Sequence, residues 1–181
     1  MRGSGFCRFG LGDSTALGID IESRFQGIES PAKMKLAVSG CPRNCAESYV
    51  KDVGVVAIGD GRWEIYVGGA AGAHIRKGDV LATVDSRDAV VKLTGRFMQY
   101  YRENANWLER TYDFVPRVGL DRLKEVLIED SEGIVADLDA GIQQSIDAYT
   151  DPWGQDAKQP ATPGQFRPSL PLIVLPKVPV R

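Results

Sequence analysis

The chain has 181 residues, 43% of them hydrophobic and 25% charged, with a formal net charge of −2 at pH 7. That length suits one domain with appendages, and the balanced charge excludes the global basic field of a nucleic-acid binder. The longest apolar runs, such as "LIVL" at 172–175, fall far short of a membrane span, and the polar, Gly-rich N-terminus carries no secretory signal pattern.

Gly3, Gly5 and Gly10 flank Cys7 in a loop whose backbone can approach a bound group closely. Asp13 or Ser14 is a good N-cap. Leu17, Ile21, Phe25 and Ile28 then share one helical face, and Pro31 closes the element. "KLAVS" (35–39) reads as a short strand. Pro42 suits the first position of a helix running to about Tyr49. "DVGVVAIG" (52–59) is an apolar, β-rich strand, and the "DG" at 60–61 joins it to "RWEIYVGG" (62–69) as a hairpin. A glycine-rich loop, "GGAAGA" (68–73), leads to a further strand, "DVLATV" (79–84).

From Ser86 the period changes. Val90, Val91, Leu93, Phe97, Met98 and Tyr101 fit an amphipathic helix extending to about Tyr112, broken by Pro116 and Gly119. Leu120, Leu123, Val126 and Leu127 mark a second helix, and Ile134, Leu138, Ile142 and Ile146 a third. From Asp151 onward the chain holds seven of its ten prolines, so residues 151–181 read as an extended or disordered tail with Trp153 as an anchor. Residues 1–150 read as one α+β unit, a mixed sheet followed by helices.

Three cysteines form an odd set with no disulfide framework, which favours a reducing, cytoplasmic setting and a metal or reactive-thiol role. Cys41 and Cys45 stand four apart. On the expected helix they share a face, about 5–6 Å apart at Cβ, and the helix N-terminus favours thiolate. That spacing serves two corners of an iron–sulfur cubane or a zinc ion. Zinc needs a fourth ligand, and the one histidine, His74, lies far off in sequence.

The stretch "SGCPRNCAESYVKDVGV" (39–55) closely resembles the siroheme and [4Fe–4S] signature of the nitrite and sulfite reductases. It supplies a small residue and Gly, C-x3-C, six residues, an acidic residue, and an aliphatic–Gly–aliphatic triplet. "CRFGLGDSTALGIDIESRF", "YYRENANWLERTYDFVPRVGLDRLKEVLIED" and "DPW" look like the large-subunit family of NAD(P)H-dependent assimilatory nitrite reductases. The resemblance covers about residues 3–155.

The resemblance implies the C-terminal half of a siroheme–[4Fe–4S] domain and the six-electron reduction of nitrite to ammonia. Electrons would pass from NAD(P)H through flavin to the cluster and on to siroheme. Cys7, Cys41 and Cys45 match cluster ligands, with Cys45 the thiolate shared with the siroheme iron. The fourth ligand would fall at position 1, which is Met1. FAD and NAD(P)H would belong to modules upstream, and partners would be those flavin domains or a small subunit. The chain is therefore expected to be a fragment, inactive alone.

Arg43, Asn44 and Arg8 are candidates to tune the cofactors. Gly68, Gly69 and Gly72, with Arg76 and Lys77, are candidates to line the siroheme surface. No catalytic acid is assigned. A sulfite reductase, or a non-catalytic fragment unable to hold the full cluster, stands as the alternative.

Overall fold

A computed structural model of the chain describes residues 7–151. Met1, Gly3, Gly5, Trp153 and nearly all of the proline-rich tail lie outside the described residues. The elements below belong to the unit that ends at Tyr149.

The first helix, α1 (Ser14–Phe25), starts where Asp13 accepts a hydrogen bond from the Ala16 amide, satisfying one of the free N–H groups of the first turn. It buries Leu17, Ile21 and Phe25. Four strands follow: β1 (Leu36–Ser39), β2 (Val53–Gly59), β3 (Arg62–Val67) and β4 (Asp79–Val84). They form one sheet in the order β1-β2-β3-β4, with β1 parallel to β2 and the other pairs antiparallel. The β2–β3 hairpin turns on Asp60 and Gly61, with φ of 53° and 74°. Both angles suit the tight turn whose twist matches its strands.

Alternation along the strands gives the sheet two different faces. Val53, Val55, Ala57, Ile65, Val67 and Leu81 face one way into the main core. Helices cover that side: α1, α2 (Arg87–Asn104), α3 (Thr111–Val118), α4 (Leu120–Leu127) and α5 (Val135–Ala148). Phe97, Tyr101, Phe114, Leu123, Leu127 and Leu138 are their fully buried contributions. Each is worth about 1.5–3 kcal/mol in apolar burial. The other face carries Ser39, Gly54 and Val56, and it is covered by residues 40–52, the connection between the parallel strands β1 and β2.

The structure departs from expectation in three places. The helix from Ser86 stops at Asn104 instead of Tyr112. There the Glu109 carboxylate accepts from the Asn106 amide and pairs with Arg117, and Leu108 takes φ 63°. These local bonds outcompete the helical ones. Pro116 does not break the next helix but lies within α3. Its missing N–H removes one helical bond, to the Tyr112 carbonyl, and α3 stops two residues later at Val118, before Gly119. Finally, no helix runs from Pro42 to Tyr49. That stretch holds turns and a short 3-10 helix, Ser48–Val50.

Candidate metal centre

The missing helix is explained by two residues. Asn44 and Glu47 take left-handed φ values of 54° and 56°, which interrupt any right-handed turn. Asn44 tolerates this region better than most, and its side chain replaces the lost helical bonds. Its Oδ1 accepts from the Tyr49 amide (3.2 Å) and the Ser39 hydroxyl (3.4 Å). Pro42 instead sits inside a turn closed by the Asn44 amide on the Cys41 carbonyl, 3.1 Å. Cys41 and Cys45 therefore do not share a helix face, and no helix N-terminus points at them.

The connection is pinned to the sheet along its length. An added Cβ at Gly54 would lie 1.8 Å from the Ser48 carbonyl oxygen. That close approach accounts for the glycine in the Val-Gly-Val triplet. Asp52 is 1% exposed. Its carboxylate accepts from the Lys35 amide (2.8 Å), from the Arg110 guanidinium (2.9 and 3.1 Å) and from the Thr111 hydroxyl. The acidic residue of the signature thus ties the end of the connection to β1 and α3.

Cys7 reaches the same place from the other side. The Leu11 and Gly12 amides both donate to the Gly40 carbonyl, at 2.7 and 3.2 Å, and the Gly10 amide donates to the Cys7 carbonyl at 2.9 Å. These bonds dock the Cys7 loop on the exit of β1. Cys7, Cys41 and Cys45 consequently line one small cleft, with Gly10, Ser39, Gly40, Arg43 and Ala46. All three are free thiols. Cys7 and Cys41 are half-buried and Cys45 is exposed. Arg43 stacks on the Phe9 ring at 3.7 Å, and Arg8 lies 4.7 Å from the same ring. The two loops are thereby joined by cation–π contacts, and two positive charges stand at the cleft.

Among the described residues no group of three His, Cys, Asp or Glu is placed to hold a single metal ion. Thiol donors of this kind serve iron–sulfur clusters and zinc alike. His74 does not line the cleft; it is exposed and stacks on Tyr112 at 4.7 Å.

The remaining sequence-predicted residues divide. Gly68 and Gly69 are buried, and their amides donate to the Asp52 and Lys51 carbonyls at 3.0 and 2.9 Å. Their N–H groups brace the connection. Arg76 donates to the Gly68 carbonyl (2.6 Å) and pairs with Asp79. Gly72 is exposed. Lys77 lies over the Tyr49 and Tyr66 rings, at 4.9 and 5.6 Å. Tyr49 in turn donates its hydroxyl to the Pro42 carbonyl at 3.4 Å, so Lys77 borders the cysteine loop. Burial and the Glu64 hydrogen bond push the Tyr66 phenol well above its ordinary value, so it stays protonated there.

Phe9, Ser48 and the hydrogen-bonding role of Ser39 have no signal in the sequence. Aromatic and hydroxyl residues in a loop read as surface until the loop is folded.

The family model described as "Nitrite and sulphite reductase 4Fe-4S domain" matches residues 1–134. The chain is 48% identical over 151 residues to a nitrite reductase [NAD(P)H] of Bacillus subtilis, covering 83% of this chain and 18% of that protein. It is 42% identical over 126 residues to an assimilatory-type sulfite reductase of Nitratidesulfovibrio vulgaris, covering 70% of this chain and 57% of that one. The solved structure of the NirA protein of Mycobacterium tuberculosis shares the fold, with a TM-score of 0.61 at 20% identity, over 74% of this chain and 26% of that one. The chain thus spans about a fifth of the length of the Bacillus relative. It belongs to the nitrite and sulphite reductase 4Fe-4S domain family.

Proposed function

We propose that this chain is the cluster-bearing part of an NAD(P)H-dependent nitrite reductase, which reduces nitrite to ammonia at a siroheme coupled to a [4Fe–4S] cluster. The observation that carries the reading is the convergence of Cys7, Cys41 and Cys45 on one cleft within this domain family. When bound, the cluster and siroheme supply single-electron transfer to the substrate nitrogen.

The chain's own residues divide the remaining work. Cys7 and Cys41 hold the cluster from two loops. Cys45 is the exposed thiol of the three, which suits a sulfur shared with a second group outside the cleft. Arg43 and Arg8 set positive charge against an anionic cluster and the carboxylates of siroheme. Asn44 fixes the loop between the two cysteines. Lys77 offers an exposed ammonium beside that loop, and Arg76, Gly68 and Gly69 back it from within the fold. The cofactor-bearing unit is residues 1–150. FAD and NAD(P)H are held elsewhere in the reductase, in flavin domains or with a small subunit as partner. The free thiols suit the cytoplasm. Among the described residues no helix is long and apolar enough to cross a membrane.

Sulfite reduction is the second reading. The sulfite reductase relative is covered over 57% of its length, a larger share than the 18% of the Bacillus nitrite reductase.

The test is Cys45→Ser in the full-length reductase. Nitrite reduction should be lost while NAD(P)H-dependent dye reduction survives. Retained nitrite turnover would remove Cys45 as the shared sulfur. Faster turnover of sulfite than nitrite by the unmodified enzyme would favour the second reading.

A further inference from the structure

Two buried hydroxyls meet beneath the cysteine cleft. Ser39 ends β1 and lines the cleft beside Gly40, Cys41 and Cys45. It is 3% exposed, and Ser48 is 0% exposed. Their Oγ atoms lie 2.8 Å apart. Each hydroxyl has one proton to donate, and leaving such a proton buried without an acceptor is unfavourable.

Where the two protons go can be worked out. Among the described residues, Ser39 is the one hydrogen-bond partner of the Ser48 hydroxyl. Ser48 must therefore donate and Ser39 accept. The Ser39 proton then has Asn44 Oδ1 as its protein acceptor, at a long 3.4 Å. That oxygen already accepts from the Tyr49 amide at 3.2 Å. Ser39 also lines the cysteine cleft.

We propose that Ser39 donates a hydrogen bond to a sulfur of the cluster, thiolate or bridging sulfide, and that Ser48 is the positioning residue that directs its proton. The proposal rests on the cluster reading above. Hydrogen bonds to cluster sulfurs favour the more negative, reduced state and raise the reduction potential. Donation from Ser48 polarises Ser39 and strengthens its own donation, more so in a buried setting. The pair would thus set how readily the cluster accepts an electron, without touching substrate.

The experiment uses the full-length reductase with its cofactors. The cluster midpoint potential is measured by spectroscopic titration, and deuterium coupling to the reduced cluster after exchange into heavy water by electron–nuclear double resonance. Ser39→Ala should keep the unmodified enzyme's iron content, shift the potential downward and lose one exchangeable coupling. Ser39→Thr, which keeps the hydroxyl, should retain both. Ser48→Ala should move the potential the same way by less. An unchanged potential and coupling in Ser39→Ala would overturn the proposal, as would an equal shift in Ser39→Thr, since that marks packing alone. Should Ser39→Ala lose its cluster, Ser48→Ala decides, and an unchanged potential there overturns it. An unmodified enzyme without any iron–sulfur signal would remove the cluster reading, and this inference with it.

Discussion

The two faces of the sheet are built by different rules. The helical face uses regular elements: apolar stripes on α1 to α5 meet apolar strand positions, and ion pairs such as Arg96–Asp139 join α2 to α5. The opposite face uses irregular backbone. There the connection 40–52 takes two left-handed residues, and it is held by Asn44, Asp52 and the close approach at Gly54. Stability comes mainly from the first face and the thiol cleft from the second. A regular helix across Cys41 and Cys45 would tie both sulfurs to one cylinder. Turns let the chain aim them at Cys7.

That contrast can be broken by substitution. The largest effect is expected from Gly54→Val, whose Cβ would stand 1.8 Å from a backbone oxygen. It should destabilise the chain by about 4 kcal/mol in urea unfolding and displace the cysteine loop. A loss below about 1 kcal/mol would mean that the connection does not lie against β2. Phe97→Ala, on the helical face, should cost about 3 kcal/mol, since Phe97 is fully buried. Molecules that remain folded should still load iron normally, and a selective loss of iron would show that the two faces are not separable.

The smallest effect is expected at Asp139. The Arg96 guanidinium, bonded to it at 2.8 and 2.9 Å, holds its carboxyl below the usual range. A lowered folded value means that its contribution is complete above the unfolded carboxylate value. It disappears as the pH falls through the folded value. Asp139→Asn should cost about 1 kcal/mol at neutral pH and flatten the acid side of the stability curve. An unchanged acid limb would show that the pair contributes nothing.

The same division decides what could be read in advance. α1, the hairpin at Asp60–Gly61 and the stripes of α4 and α5 follow from periodicity, caps and turn residues, because their stabilising contacts repeat along the chain. The helix expected from Pro42 failed because the Asn44 side chain supplies the bonds a helix would have made. The cysteine spacing singled out Cys41 and Cys45, but the shared helix face expected of them is absent. That the Gly68 and Gly69 amides bond back to Asp52 and Lys51 was not legible either. Which amide is already satisfied depends on segments distant in sequence, and local pattern carries no trace of it.

The central claim is that Cys7 belongs with Cys41 and Cys45 around one cluster. The most direct measurement is iron and sulfide content after anaerobic reconstitution, compared among the unmodified protein, Cys7→Ser and Cys45→Ser. The account predicts equal amounts of iron and sulfide in the unmodified protein and a comparable loss in both variants. Full cluster content in Cys7→Ser, or binding of one zinc ion in place of iron and sulfide, would contradict it.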